Sequence, residues 1–298
     1  MAGKKETIGI LSMKSEDKLE HEIYFRFPEE IKKRGYKAEI LYFDKFFIYF
    51  NDKIEVYYNQ EKIDPEKYKF MILVMDGKRE NSFIAETLEG LGVKIINSVA
   101  STRLAKNKIR TKFALSGAGI PIIPTAINFS QYRLQPIFDH LGEELIYKLN
   151  RGALGKGVAC LDSKISVIST FELLAAAGIA PSDIIFEKFV KESAGRDIRI
   201  IVAGGKVVAA MKRFAGGIDF RGNLSGTGRG EKIDISEQMA DMAVNSAEVL
   251  GLSYAGVDVL ISDDGPQVIE VNPNPGLKIE QVLNKNVVGE ALEEMLKL

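Results

Sequence analysis

The stretch that decides how this chain is built runs Ala255-Gly256-Val257-Asp258-Val259-Leu260-Ile261, then Asp263-Asp264-Gly265, then Val268-Ile269-Glu270-Val271-Asn272. Two apolar runs broken by a glycine-bearing turn read as a β-hairpin. The runs also carry oxygen donors: Asp258 on the first strand, Glu270 and Asn272 on the second. A three-residue Asp-Asp-Gly loop with Gly265 left-handed is a common hairpin connection. It pairs residue 262 with 266, and therefore 258 with 270 and 256 with 272. Side chains alternate faces along a strand, so all three donors then share one side. Two carboxylates and an amide oxygen suit a hard divalent cation such as Mg²⁺, which completes its shell with substrate phosphates. A two-residue turn would instead send Asp258 and Glu270 to opposite faces. A surface hairpin with scattered acids is the competing reading.

Working outward, the composition excludes several classes. The chain has 298 residues, 46 % hydrophobic and 27 % charged, with a net charge of −1. That size allows two or three subdomains, and the charge gives no global field for nucleic acid or an anionic membrane. A single cysteine, Cys160, rules out an intramolecular disulfide and a multi-cysteine metal site; its apolar setting reads as a buried thiol. His21 and His140 lie far apart and have neither zinc-site nor triad spacing. No run approaches the roughly 20 apolar residues of a membrane span, and residues 1–6 lead into a strand without a signal-like segment. A cytoplasmic protein is expected.

Upstream, strand-like runs at 7–12, 38–43, 70–74 and 93–96 alternate with helical segments ending near Gly35 and Gly92. That order implies a parallel, Rossmann-like α/β layer, with a further hairpin at 53–63. The layer lacks a Gly-x-Gly-x-x-Gly fingerprint, so dinucleotide binding is unsupported. A basic helix-forming stretch follows at 102–116. Strands at 145–149, 158–161 and 184–186 come next, with a helix at 167–177. The remainder is antiparallel in character: a hairpin over 197–211, a helix at 235–250 and the acidic hairpin.

Several constellations could carry chemistry. Lys148 ends a strand before the loop Arg151-Gly152-Ala153-Leu154-Gly155-Lys156-Gly157, whose glycines let backbone N–H groups face an anion; an ordinary hairpin turn is the alternative. Glu187-Lys188-Phe189-Val190 is an extended segment able to present backbone groups and an apolar wall to a purine. Arg213 and the run Asp219-Phe220-Arg221-Gly222-Asn223 bring arginines suited to phosphate. The glycine-rich stretch from 222 to 230 has the composition of a mobile loop.

In order and spacing these elements resemble the RimK-type amino-acid ligases of the ATP-grasp superfamily. The resemblance runs from Ile8-Gly9-Ile10-Leu11-Ser12 to Asn272. Its most specific parts are Gly195-Arg196-Asp197-Ile198-Arg199, Val207 to Arg213, Asp219 to Asn223, Ala255 to Asp258, and Glu270-Val271-Asn272. It implies a mixed α/β and α+β chain: an ATP-grasp fold behind an N-terminal Rossmann-like domain, divided 1–97, 98–186 and 187–298. It implies that Lys108 and Lys148 meet ATP phosphates, that Lys188 and Phe189 line the adenine, and that Asp197 contacts the nucleotide. Arg221, Gly222 and Asn223 would approach the triphosphate, Asp258, Glu270 and Asn272 would hold Mg²⁺ or Mn²⁺ (two ions), and Arg213 would steady the transferring phosphoryl group. Lys188 departs from the glutamate usual in the linker, and Pro273 and Asn274 depart from the usual small residues after Asn272.

The implied reaction joins a carboxylate to an amine through an acyl phosphate, releasing ADP and phosphate. The implied partners are an amino acid such as glutamate and a carboxylate on a protein tail, peptide or small molecule, with a homo-oligomeric assembly. Acceptor choice would fall to the N-terminal layer and the loops around Arg79 and Arg199. A non-catalytic ATP-binding module on the same fold is the alternative.

Overall fold

Thr7–Ser12 (β1) is buried at all six positions, as a strand covered on both faces must be. The computed structural model describes residues 6–13, 18–74, 79–130, 133–150, 157–216 and 228–298. From β1 the chain enters the helix Lys18–Lys33 (α1) and returns as Lys37–Tyr42 (β2), paired in parallel with β1. Phe46–Phe50 (β3), Ile54–Tyr58 (β4) and Glu61–Lys62 (β5) form a small antiparallel sheet. The hairpin expected at 53–63 thus gains a strand, β3, in which Phe47 and Phe50 are exposed. Tyr68–Leu73 (β6), the helix Arg79–Gly90 (α2) and Ile95–Ile96 (β7) complete a parallel layer of order β2-β1-β6-β7. Gly9 permits its close packing, since a Cβ there would stand 2.7 Å from Met71 Cγ on β6.

The stretch 102–116 is two helices, Val99–Lys106 (α3) and Lys108–Gly117 (α4). Asn107 separates them, its Oδ1 accepting from the Arg110 N–H at 3.0 Å as the cap of α4. A second sheet follows. It is built from Thr125–Ile127 (β8), Leu145–Leu149 (β9), Val158–Leu161 (β10) and Ile184–Lys188 (β11), in antiparallel order β10-β9-β11-β8. The helices Gln135–Leu141 (α5) and Lys164–Ala176 (α6) cover one face, where Phe138 and Phe171 pack on Leu145, Tyr147 and Phe186. Alternation therefore turns Lys148 and Glu187 to the other face. Cys160 is exposed, correcting the buried thiol expected from its apolar neighbours. β10 is an edge strand, and of its residues only Leu161 is buried.

The third sheet holds Arg196–Ala203 (β12), Lys206–Phe214 (β13), Arg229–Lys232 (β14), Tyr254–Ser262 (β15) and Gly265–Asn272 (β16), in antiparallel order β14-β13-β12-β15-β16. Helix Glu237–Val249 (α7) packs Met242, Ala243 and Ala247 on one face, against Ile198, Ile200, Val257 and Val271. Lys278–Leu283 (α8) and Val287–Leu296 (α9) cover part of the other, in a core shared with the first layer through Ile8, Ile10, Phe27, Ile201, Met211 and Leu292. Arg26 on α1 reinforces that junction by donating from Nε to Glu280 Oε2 at 2.8 Å.

The β15–β16 register places Asp258 opposite Glu270 and Gly256 opposite Asn272, by a route the sequence reading did not anticipate. Ser262 faces Gly265, so the turn holds only Asp263 and Asp264. Such a turn alone would offset the pairing by one, but a bulge between Asp258 and Val259 restores it. Gly265 has a φ of +100°, the left-handed geometry expected of it.

Candidate active site

One transverse row crosses the third sheet on the face opposite α7: Met211 on β13, Arg199 on β12, Asp258 on β15 and Glu270 on β16, each opposite the next. Asn272 and Asp197, two residues along their strands, share that face, as does Arg213 opposite Asp197. Asp258 is buried and accepts from both Arg199 donors, Nε and Nη2 (the latter at 2.7 Å), while Arg213 Nη2 stands 3.0 Å from its Oδ2. Asn272 Nδ2 lies 3.4 Å from the same oxygen. Asp197 takes the fork of Arg213, with Nε at 2.5 Å and Nη2 at 2.7 Å. Burial alone would raise the Asp258 carboxyl, but Arg199 and Arg213 together hold it below the usual range. For Asp197, burial and the nearby Asp258 outweigh Arg213, and its carboxyl sits above the usual range.

Backbone detail fixes this row. Gly256 leaves room for the Arg199 stem and Pro275: a Cβ there would lie 3.2 Å from Arg199 Cδ and 2.7 Å from Pro275 Cβ. Buried Asn97 ties both ends of the hairpin together. Its Nδ2 donates to Tyr254 O at 2.7 Å and Pro273 O at 2.9 Å, and its Oδ1 accepts from Tyr254 N–H at 2.9 Å. Oxygen donors on Asp258, Glu270 and Asn272 fit a hard divalent cation in kind and in facing one side. Among the described residues no group of three His, Cys, Asp or Glu forms a metal cluster, so an amide or substrate oxygen must complete any such site.

A second charged group comes from α4 and the middle sheet. Buried Glu187 receives a lysine at each oxygen: Lys112 Nζ at 2.9 Å from Oε1 and Lys148 Nζ at 2.5 Å from Oε2. Burial raises the Glu187 carboxyl, yet the two ammonium groups pull it down to about 2. Burial lowers Lys112, with Glu187 opposing. Lys112 Nζ also donates to Val268 O at 3.4 Å on β16. Thus the lysine cluster is fastened to the strand that bears Glu270 and Asn272.

Where β11 runs into the linker, two N–H groups are used internally: Lys188 donates to Pro124 O at 3.0 Å and Phe189 to Glu144 O at 3.3 Å. Lys188, Phe189 and Val190 border a cleft of about 400 Å³ that also meets Pro124, Gln267 and the hairpin tip at Asp263 and Asp264. Lys108 opens α4, one turn before Lys112. Arg221, Gly222 and Asn223, with Asp219 and Phe220, lie outside the described residues, as do 151–156 of the glycine loop and the side chain of Arg79. The sequence reading gave no side-chain role to Lys112, Glu187 or Asn97. The four-residue step from Lys108 to Lys112 was the available signal for the first.

Residues 105–295 match the model of a RimK-like ATP-grasp domain. A protein from Maridesulfovibrio salexigens named probable alpha-L-glutamate ligase is 36 % identical over 220 residues, 72 % of this chain and 71 % of its own length. A protein of the same name from Legionella pneumophila is 35 % identical over 215 residues, covering 70 % and 69 %. Among solved structures, the ATP-grasp ligase PsnB with a minimal precursor superposes with a TM-score of 0.74 at 21 % identity, over 98 % of this chain and 99 % of that one. The D-alanine–D-alanine ligase of Bacillus anthracis gives 0.66 at 20 % identity, over 98 % of each. These two show the same fold.

Proposed function

Because the chain belongs to the RimK-like ATP-grasp family, and is therefore an ATP-dependent ligase, we propose that it adds an amino acid such as glutamate to a carboxylate of a protein tail, peptide or small molecule. The observation that carries the reading is the transverse row of Arg199, Asp258 and Glu270, with Asn272 beside it, joined through β16 to the Lys112–Glu187–Lys148 cluster. Names of the curated relatives favour glutamate. PsnB, solved with a precursor peptide and, in another complex, with Mg and ADP, favours a peptide as the acceptor class.

In this proposal Lys108 and Lys148 hold the phosphates of ATP, and the linker at Lys188 and Phe189 bounds the adenine. Asp258, Glu270 and Asn272 would hold Mg²⁺ or Mn²⁺, two ions by resemblance, whose charge offsets that of the phosphate oxygens. Arg213, its Nε and Nη2 held by Asp197, lends its fixed positive charge to the transferring phosphoryl group. Asp197, a nucleotide-contacting position by the resemblance, also orients Arg213. An acceptor carboxylate oxygen attacks the γ-phosphorus, ADP leaves, and an amine displaces phosphate from the acyl carbon. No side-chain nucleophile is required, and positioning with electrostatics carries phosphoryl transfer. Arg221, Gly222 and Asn223 would approach the triphosphate and the acyl intermediate. The division at 97/98 and 186/187 and a homo-oligomeric assembly belong to the same proposal. Among the described residues no helix is long and apolar enough to cross a membrane.

The test is a phosphate-release screen of acceptor carboxylates against all amino acids, with mass spectrometry of the products. Phosphate release that depends on both substrates, with a mass gain of one amide-linked residue, supports the reading. ADP formed equally without acceptor or amine refutes it.

A further inference from the structure

Lys112 is a buried cation to which the scheme above gives no task. It projects from α4 one turn after Lys108, so the two lysines share a helix face. Its side chain is 6 % exposed, and its ammonium is fixed between Glu187 Oε1 at 2.9 Å and the Val268 carbonyl at 3.4 Å, within electrostatic reach of Glu270. Lys148 takes the other oxygen of Glu187 at 2.5 Å.

Charge accounting gives this arrangement a consequence. In direct contact, two ammonium groups share one carboxylate, so the contact cluster itself carries one positive charge, with Glu270 acting on Lys112 from farther off. A buried charge whose partner is shared is costly to a fold, and the cost falls when an anion arrives. Without Lys112, Glu187 and Lys148 would form a closed, neutral pair. The lysine ending β9 would then have little net field to offer a polyphosphate.

We propose that Lys112 is a positioning residue for nucleotide binding: by taking one oxygen of Glu187 it leaves the charge of Lys148 in excess for a triphosphate. This rests on the reading that Lys148 meets ATP phosphates. It adds that Glu187 is shared by design and that Lys112, out of contact with the nucleotide, sets the strength of the grip.

A charge cycle tests it by calorimetry, with the magnesium complex of AMPPNP as probe, on the whole chain at low and high NaCl. Lys112→Met is expected to weaken binding about tenfold and to flatten its salt dependence. In Lys112→Met/Glu187→Gln, Lys148 is again unpaired, and affinity and salt dependence return to within a few-fold of wild type. A Lys112→Met protein that binds as wild type, or a double variant no better than the single one, overturns the proposal and leaves Lys112 a packing residue. Thermal melts accompany each variant. If Lys112→Met fails to fold, Glu187→Gln alone decides: binding at least as tight as wild type supports the proposal, and weaker binding overturns it. Wild type that does not bind the probe overturns the underlying nucleotide reading as well, a result distinct from the others.

Discussion

Replacing Gly256 with alanine probes whether the acidic row is built to the tolerance described. The backbone at Gly256 is ordinary extended strand, so the perturbation is steric. The new methyl would stand 2.7 Å from Pro275 Cβ and 3.2 Å from Arg199 Cδ, whereas ordinary carbon contacts lie at about 3.5–4.0 Å. Arg199 can yield by rotating its stem, though only by loosening its two bonds to Asp258. Pro275 must move by most of an ångström. It is buried, and two residues earlier Pro273 O is held by Asn97 at 2.9 Å. Overpacking of this kind costs about 1–3 kcal/mol, and the lower backbone entropy of alanine in the unfolded chain returns about 0.4–1 kcal/mol. A net loss of roughly 1–2 kcal/mol is expected, with weaker binding of Mg²⁺–nucleotide because Arg199, which holds Asp258, is displaced. Urea denaturation gives the first quantity and calorimetry the second. Gly90→Ala is the control: a Cβ there meets nothing within 4 Å, and stability should hold or rise. If Gly256→Ala matched that control in both assays, the close packing around Arg199 would not matter as argued.

Further outcomes follow from the same geometry. A carboxyl that titrates at about 2 in the folded chain and 4.5 in the unfolded one, as Glu187 does, contributes about 3 kcal/mol above pH 4.5, lost as pH falls toward 2. Glu187→Gln should therefore flatten the acid limb of a stability–pH profile between about 4.5 and 2. Arg213→Met removes the partner of buried Asp197 and one of the two arginine partners of Asp258. It should cost about 3–5 kcal/mol in chemical denaturation and eliminate measurable turnover. Glu270→Ala should melt cooperatively yet lose Mn²⁺ binding by electron paramagnetic resonance, and activity with it.

That Glu270 and Asn272 share a face was legible because strand periodicity is local and strict, whereas Asp258 joins them through a bulge that the sequence reading did not contain. The turn was not: Asp-Asp-Gly serves a three-residue loop or a two-residue turn alike, and only the bulge opposite Val259 reconciles the observed turn with the pairing. Asn107 shows the same limit, since a capping asparagine inside a basic helical stretch is easily passed over. Cys160 was misjudged because an apolar neighbourhood in sequence says nothing about edge position in a sheet. The Lys112–Glu187–Lys148 cluster was hidden for a different reason. Its members come from α4, β11 and β9, and no local pattern marks a pairing made by tertiary packing.

The chemistry is tested most directly by oxygen transfer. An acceptor returned by the substrate screen, labelled with ¹⁸O in its carboxylate, is turned over with ATP and amine, and the released phosphate is weighed by mass spectrometry. One ¹⁸O per phosphate is predicted, because the carboxylate oxygen that attacks phosphorus leaves with it. Unlabelled phosphate, formed together with the amide product, would contradict an acyl-phosphate route at this site.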